Sequence, residues 1–405
     1  MLLVKPTESC CRIFLLFFMT NSFSACYKKE ILLSLFMLQN FHKAGYTDKG
    51  FTGRCFIIAE AGTSHCGDLK KAFTLIDAAA AAGCDCVKFQ MVYADEIVHP
   101  LTGDIDLPGG KTRLYEVFKS LEQEPAFYRE LKEYTEKQQL EFLCTPFGLQ
   151  SAALLYSIGV NAIKIASPEL NHIPLLKAVA AYSLPVLLST GVSTLGDIEA
   201  AVNIVGRQSL LLHCITQYPA PENEYNLELI PLLSRIFGLP VGISDHSLHP
   251  VLVPVLAVSR GACVVEKHFT LSNADTGLDD PIALDPGKFA VMVQSIRKAE
   301  KMAAHDVQDW MSREYGNASV TAVLGTGIKT LAPSEKTNYG TTNRSILALG
   351  RIKAGEVFTH ENIAILRSEK KLKPGLHPRY YDLITGKKAL ISLEAGEGVE
   401  WRHVL

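Results

Sequence analysis

Eight short apolar runs, at residues 55–60, 84–90, 141–145, 162–167, 185–190, 210–214, 240–246 and 263–270, alternate along this chain with stretches of helical character. Runs this short, separated by helix-length segments, read as buried strands joined by helical crossovers, the connection that parallel pairing demands. Eight repeats of the unit confine the fold to α/β class, a (β/α)8 TIM barrel whose strands all end on one face. The runs close on residues suited to chemistry, the last two on Ser244-Asp245-His246 and Glu266-Lys267-His268. Polar groups scattered through the sequence are therefore expected to meet on one rim.

The barrel is expected over residues 51–305, matching the roughly 250 residues such a fold needs. Asp68 is placed to cap a helix over the alanine-rich stretch 70–82, which Gly83 closes. Pro125, Pro174 and Pro286 suit the first turns of further helices. The Gly-, Pro- and Asp-rich stretch 93–112 reads as a lid-like loop on the catalytic face or a plain insertion. Residues 306–342 turn polar, with Gly325-Thr326-Gly327 and Pro333, and are expected to form a linker. A small β-clip follows at 343–405, where the turns Lys353-Ala354-Gly355-Glu356 and Glu394-Ala395-Gly396-Glu397 suggest internal pseudo-symmetry. It is too short to catalyse and better suited to covering a site.

Forty basic residues against 42 acidic ones give a net charge of -2. That balance offers nothing to a nucleic acid. The ten cysteines include no Cys-x-x-Cys pair and sit mostly in apolar runs, as reduced thiols of a cytoplasmic enzyme do. Residues 1–50 hold two apolar runs, 13–19 and 31–38, each too short to span a membrane. Phe23-Ser24-Ala25-Cys26 faintly resembles a lipoprotein cleavage site. The rim downstream suits a cytoplasmic metabolite, so the head is expected to be an extension of unknown role.

Neutral imidazoles are good ligands for divalent ions, and His246 and His268 close neighbouring strands. His213, inside a strand, is expected in the core. Lys88 and Lys164 lie near strand ends in apolar surroundings, where an unpaired ammonium is costly. They imply either glutamates of the fold or an anionic ligand. Thr145, Ser167, Ser189 and Ser244 add hydroxyls at the same level, as phosphate donors or as helix caps. Glu60, Glu169 and Asp279 supply carboxylates, for proton transfer or for structural pairing with the lysines. A Schiff-base aldolase using Lys164 is an alternative; so is a non-enzymatic carbohydrate-binding protein.

Phe56-Ile57-Ile58-Ala59-Glu60-Ala61-Gly62, Val87-Lys88-Phe89-Gln90, Cys144-Thr145-Pro146-Phe147, Ile163-Lys164-Ile165-Ala166-Ser167 and Leu188-Ser189-Thr190-Gly191 resemble, in order, the sialic acid synthase family. So do Tyr218-Pro219, Ser244-Asp245-His246 and Glu266-Lys267-His268, and residues 343–405 resemble that family's antifreeze-like (SAF) domain. The resemblance implies condensation of phosphoenolpyruvate with an N-acylated amino sugar such as N-acetylmannosamine. It implies that Lys88, Thr145, Lys164, Ser167, Ser189 and Ser244 hold phosphoenolpyruvate, and that His246 and His268 bind Mn2+ or Mg2+. Glu60 would handle a proton or stabilise a cation; Gln90, Glu169, Tyr218 and Asp279 would face the sugar. It further implies a domain-swapped homodimer in which Arg344 reaches the sugar from the partner subunit. Thr216, Pro168, Gly109-Gly110 and Asp279-Asp280-Pro281 depart from the family's usual residues, all on the sugar side. The sugar expected is therefore N-acetylmannosamine or a legionaminic- or pseudaminic-type precursor.

Overall fold

The computed structural model describes residues 45–47, 50–107, 110–369 and 371–405. The apolar runs of the head and its Phe23-Ser24-Ala25-Cys26 quartet lie outside the described residues, as does Gly109. A hairpin of β1 (Gly45–Thr47) and β2 (Gly50–Thr52) leads into the barrel. Its first strands are β3 (Phe56–Gly62) and β4 (Cys86–Met91); a second hairpin, β5 (Asp104–Leu107) with β6 (Gly110–Arg113), then intervenes. Six more barrel strands follow: β7 (Glu141–Pro146), β8 (Ile163–Ile165), β9 (Val186–Ser189), β10 (Ser209–Cys214), β11 (Val241–Asp245) and β12 (Val264–His268). The eight are ordered β7-β4-β3-β12-β11-β10-β9-β8, every pair parallel, with β7 packed beside β8 to close the cylinder.

Side chains alternate between the barrel axis and the helices. Outward positions such as Ile57, Val87, Ile163, Leu188, Leu211, Ile243 and Val265 join the large core beneath the helices. Inward positions Ile58, Cys86, Leu143, Ala162, Leu187, Leu212 and Val264 form a second apolar cluster inside the cylinder. Two residues further along six of these strands the inward chain turns polar: Glu60, Lys88, Thr145, Lys164, Ser189 and Glu266. The strands thus carry an apolar floor below a polar layer. Burying each large aliphatic side chain of that floor is worth roughly 1.5–3 kcal/mol, which offsets the cost of the polar layer above.

The helix signals act as expected. Asp68 accepts from the amides of Lys70 and Lys71 at 2.8 and 3.2 Å, capping the helix Leu69–Ala81. Pro125 and Pro286 open the helices Pro125–Lys137 and Pro286–Ala299. The stretch 306–342 corrects the expectation of a linker, because most of its first half is helical. Helices Ala304–Tyr315 and Asn317–Leu324 send Val307, Trp310, Met311, Val320 and Val323 into the main core. An apolar stripe at i, i+3, i+4 within a polar composition is enough to dock a helix. The stretch 93–112 is also more ordered than a free lid, holding the helix Ala94–Ile97 and the β5–β6 hairpin.

The C-terminal unit pairs β13 (Arg344–Ala348) with β14 (Ile363–Arg367) over its own core of Ile346, Ile352, Phe358, Ile384, Leu393 and Val399. Its two Ala-Gly-Glu turns are built alike. The amide of Lys353 donates to Glu356 at 2.9 Å and that of Glu394 to Glu397 at 3.0 Å, with Gly355 and Gly396 at φ +84° and +78°. The unit rests on its own barrel: Val98 bridges to Arg367, and His99 Nε2 lies 3.1 Å from the Leu349 carbonyl. Among the described residues no helix is long and apolar enough to cross a membrane.

Candidate active site

The polar layer opens into a cavity of about 570 Å³ at the carboxyl ends of the strands, well inside the roughly 300–1,000 Å³ of small-molecule sites. Strand register sets its first row: His268 is level with Glu60, and Glu60 with Lys88. Between Glu60 and Gly62 the β3–β4 register shifts by a bulge. Gly62, at φ +52°, carries no Cβ where one would lie 3.3 Å from Gln90 Nε2, 3.5 Å from Glu60 Oε1 and 3.6 Å from Asp279 Oδ2. The bare backbone lets these three side chains converge.

Two buried lysines share the floor of the cavity. Lys88 Nζ is 2.6 Å from Glu60 Oε2, 3.2 Å from Thr145 Oγ1 and 3.8 Å from Glu266 Oε2. Burial opposes its charge, but Glu266 and Glu60 outweigh that and hold its pKa above the usual lysine value. Lys164 is less well served. Its Nζ reaches the Ile165 carbonyl at 3.3 Å and Glu266 Oε1 at 3.6 Å, so burial pushes its pKa down and Glu266 only partly offsets the push. Glu266 itself would be raised by burial, yet Lys164 and Lys88, with the Ser244 hydroxyl donating at 2.8 Å, hold it at about 2. In the same cavity, the buried Ser189 Oγ has no hydrogen-bond partner among the described residues. An ammonium with unused donors and an unmatched hydroxyl lining one cavity can together receive a small anion.

His246 and His268 face each other across the same cavity, ring centroids 5.5 Å apart. His246 Nδ1 lies 2.8 Å from the Ile215 carbonyl, so this nitrogen carries the proton and Nε2 offers its lone pair. His268 Nδ1 lies 3.6 Å from Asp279 Oδ2. Burial lowers the pKa of both rings, against the pull of the Ile215 carbonyl on His246 and of Asp279 on His268. Both are thus neutral at pH 7, as ligation requires. Among the described residues no cluster of three or more His, Cys, Asp or Glu side chains is arranged for a metal. Two neutral imidazoles are donors of the kind that divalent ions accept, and as two ligands they would leave an ion's other positions to substrate or water. Tyr218 stacks on His246 at 4.2 Å and meets His268 edge-on at 5.8 Å. His213 is in the core, its Nε2 bonded to the Tyr225 carbonyl.

Of the residues expected around the site, Glu60, Lys88, Gln90, Thr145, Lys164, Ser167, Ser189, Tyr218, Ser244, His246, His268 and Asp279 all line the cavity. Glu169 and Arg344 are not among its lining residues. Both are fully buried behind the wall, Arg344 Nη2 standing 2.9 Å from Glu169 Oε1 and donating also to the Phe147 carbonyl at 2.8 Å, while Nη1 donates to the Ile97 carbonyl at 3.1 Å. Arg367 Nη2 reaches the same carboxylate oxygen at 2.6 Å. A buried charge must be paired to be tolerated, and this shared carboxylate joins barrel and C-terminal unit within one chain. The cavity instead meets Arg367 and Glu369 from that unit, Asn338 and Thr342 from the segment before it, and apolar Phe118, Phe147 and Leu278. Sequence reasoning missed these and Glu266. For Glu266 a signal existed: two residues past inward Val264, alternation points it inward, while Lys267 turns out to bond Asp245 at 2.7 Å. Thr216 and Pro168, which depart from the family's residues, both line the cavity.

The NeuB family model matches residues 75–308, and the SAF domain model matches 343–405. The spore coat polysaccharide biosynthesis protein SpsE of Bacillus subtilis is 38% identical over 357 residues, 86% of this chain and 93% of that protein. Its crystal structure aligns with a TM-score of 0.74 at 36% identity, over 89% of this chain and 99% of that one. The N,N'-diacetyllegionaminic acid synthase of Legionella pneumophila is 34% identical over 373 residues, 89% of this chain and 97% of that enzyme.

Proposed function

Because the chain belongs to the NeuB family of sialic and related acid synthases, carries a SAF domain and is thus a phosphoenolpyruvate-condensing enzyme, we propose that it joins phosphoenolpyruvate to an N-acylated amino sugar. The sugar is N-acetylmannosamine or a related 2,4-diacetamido sugar, and the products are a nine-carbon 2-keto acid and phosphate. One observation carries this reading: Lys164 with unused donors and Ser189 with an unmatched hydroxyl, both buried in a cavity that also holds two neutral imidazoles.

On this reading Lys88, Thr145, Lys164, Ser167, Ser189 and Ser244 bind the phosphate and carboxylate of phosphoenolpyruvate. The C3 carbon attacks the aldehyde carbon of the open-chain sugar and a carbon–carbon bond forms. Water adds at C2, and the tetrahedral centre expels phosphate. Glu60, hydrogen-bonded to Gln90 at 2.8 Å and paired with Lys88, is in place to stabilise positive charge at C2 or to take the proton of the added water. His246 and His268 would hold Mn2+ or Mg2+, which when bound supplies Lewis-acid polarisation of the aldehyde. Gln90, Tyr218 and Asp279 face the sugar. The apolar patch of Phe118, Phe147 and Leu278 supports a substrate with acyl methyl groups. We place the enzyme in the cytoplasm with its phosphorylated substrate, as a homodimer.

The test is phosphate release from phosphoenolpyruvate with a panel of acylated amino sugars, with and without Mn2+. Turnover that a chelator stops, and that His268→Ala abolishes in a folded protein, is expected. Failure of every sugar, with Mn2+ and without it, would end the proposal. Because burial depresses the Lys164 pKa, borohydride trapping on Lys164 is the arm that would reveal aldolase chemistry instead.

A further inference from the structure

The segment between the two units carries a carboxylate that the proposed reaction does not use. Glu335 is fully buried at the end of the short turn Pro333–Glu335. Its Oε1 accepts from the amides of Val192 and Thr216, each at 2.7 Å, and its Oε2 from Ala332 at 3.3 Å. Val192 follows β9 and Thr216 follows β10. One oxygen therefore ties the loops of two neighbouring barrel strands to the segment. Two weaker ties run alongside: Asn343 Nδ2 donates to the Val192 carbonyl at 3.1 Å, and Asn338 Nδ2 to that of Thr216 at 3.4 Å.

The junction is tightly packed. The amide of Gly191 donates to Ser167 Oγ at 3.0 Å, and a Cβ on Gly191 would fall 2.1 Å from Thr216 Oγ1 and 3.1 Å from Glu335 Oε1. Packing this close passes a shift of Glu335 on to its neighbours, and Ser167 and Thr216 both line the cavity. Beyond Glu335, Asn338 and Thr342 line it as well, and the chain enters β13, whose partner β14 ends on Arg367.

We infer that Glu335 is a latch, a positioning residue that pins the inter-unit segment to the rim at β9 and β10. It thereby sets the outer wall of the cavity, formed by Asn338, Thr342 and Arg367, without touching substrate. A carboxylate suits the task because one ionised oxygen can accept two strong N–H bonds at once. Glutamine would keep an oxygen for those two donors but would turn its amide nitrogen toward the Ala332 amide. The effect on turnover rests on the proposed function; the latch itself does not.

The test combines hydrogen exchange with kinetics on the full chain. In E335A, amides of residues 338–343 and of the docking stretch 96–99 should lose at least about tenfold in protection, those of β3 and β4 staying protected, as local opening does. The KM for the sugar should rise at least about tenfold, and more than that for phosphoenolpyruvate, because a misplaced outer wall weakens binding before chemistry. E335Q should recover to within about threefold of the native values, since its Oε1 still accepts both amides. Unchanged exchange at 338–343 in a folded E335A, an unchanged sugar KM, or E335Q no better than E335A would overturn the latch. If E335A does not fold, Asn343→Asp removes the Nδ2 donor to the Val192 carbonyl while keeping the oxygen that accepts from the Gly340 amide at 2.8 Å. A smaller loss of protection at 338–343 supports the latch, and none refutes it. Should no sugar release phosphate from the native enzyme, the functional reading fails while exchange still judges the latch.

Discussion

Replacing Glu266 with glutamine removes one buried charge and almost no volume. The carboxylate stands 3.6 Å from Lys164 and 3.8 Å from Lys88, so at an effective dielectric near 20 each attraction is about 4.5 kcal/mol before desolvation is subtracted. The net value follows from its titration. Held at about 2 instead of 4.5, the group contributes roughly 3 kcal/mol to stability at neutral pH, since one pK unit is about 1.4 kcal/mol. The figure agrees with the about 3–5 kcal/mol lost when a buried pair is broken by removing one partner. The folded value lies below the unfolded one, so the contribution is complete above 4.5 and disappears as the pH falls toward 2. Urea unfolding of the native protein and E266Q should therefore differ by about 3 kcal/mol at pH 7 and by progressively less below pH 4.5. Equal stability at pH 7, or a gap that does not shrink in acid, would refute the reasoning.

Ser189→Ala should leave stability within about 0.5 kcal/mol, because the hydroxyl has no partner to lose; the KM for phosphoenolpyruvate should rise several-fold, and an unchanged KM would remove Ser189 from the anion site. Arg344→Ala should show first as lost stability, about 3 kcal/mol for a broken buried pair, read by thermal unfolding. A variant with native melting but impaired sugar use would restore Arg344 to direct sugar contact.

The barrel was legible because its signal is local. A strand buried on both faces is a short apolar run, and eight such runs in register with helices admit few other folds. The rim was legible for a related reason: strand ends in a parallel barrel share one face, so Lys88, Lys164, His246 and His268 could be grouped without knowing their distances. Glu266 was hidden inside a run of three polar residues, where only counting by twos from Val264 separates the inward carboxylate from the outward Lys267. The outer wall was harder still. Arg367, Glu369, Asn338 and Thr342 reach the cavity through docking of one unit on another, and no local periodicity records which surface side chains such docking will cover. Arg344 shows the converse: only the family resemblance implied a sugar contact for it, from the partner subunit, and within one chain Glu169 pairs with its guanidinium.

A site meant for a multiply charged anion has to solve a problem when that anion is away. Lys88 and Lys164, buried together and unpaired, would each face several kcal/mol of desolvation in addition to their mutual repulsion. The layer of Glu60 and Glu266 answers this. Two carboxylates match two ammoniums, so the charged layer is neutral and the lysines stay in position without ligand. The compensation is uneven, with Lys88 held by Glu60 at 2.6 Å and Glu266 at 3.8 Å and Lys164 by Glu266 alone at 3.6 Å. On the proposed reading this asymmetry assigns different work to the two lysines. Lys88 keeps Glu60 oriented, whereas Lys164, under-compensated in the same cavity as the Ser189 hydroxyl, offers the incoming anion its strongest interaction. Preorganised charge of this kind needs no rearrangement when the reacting groups arrive.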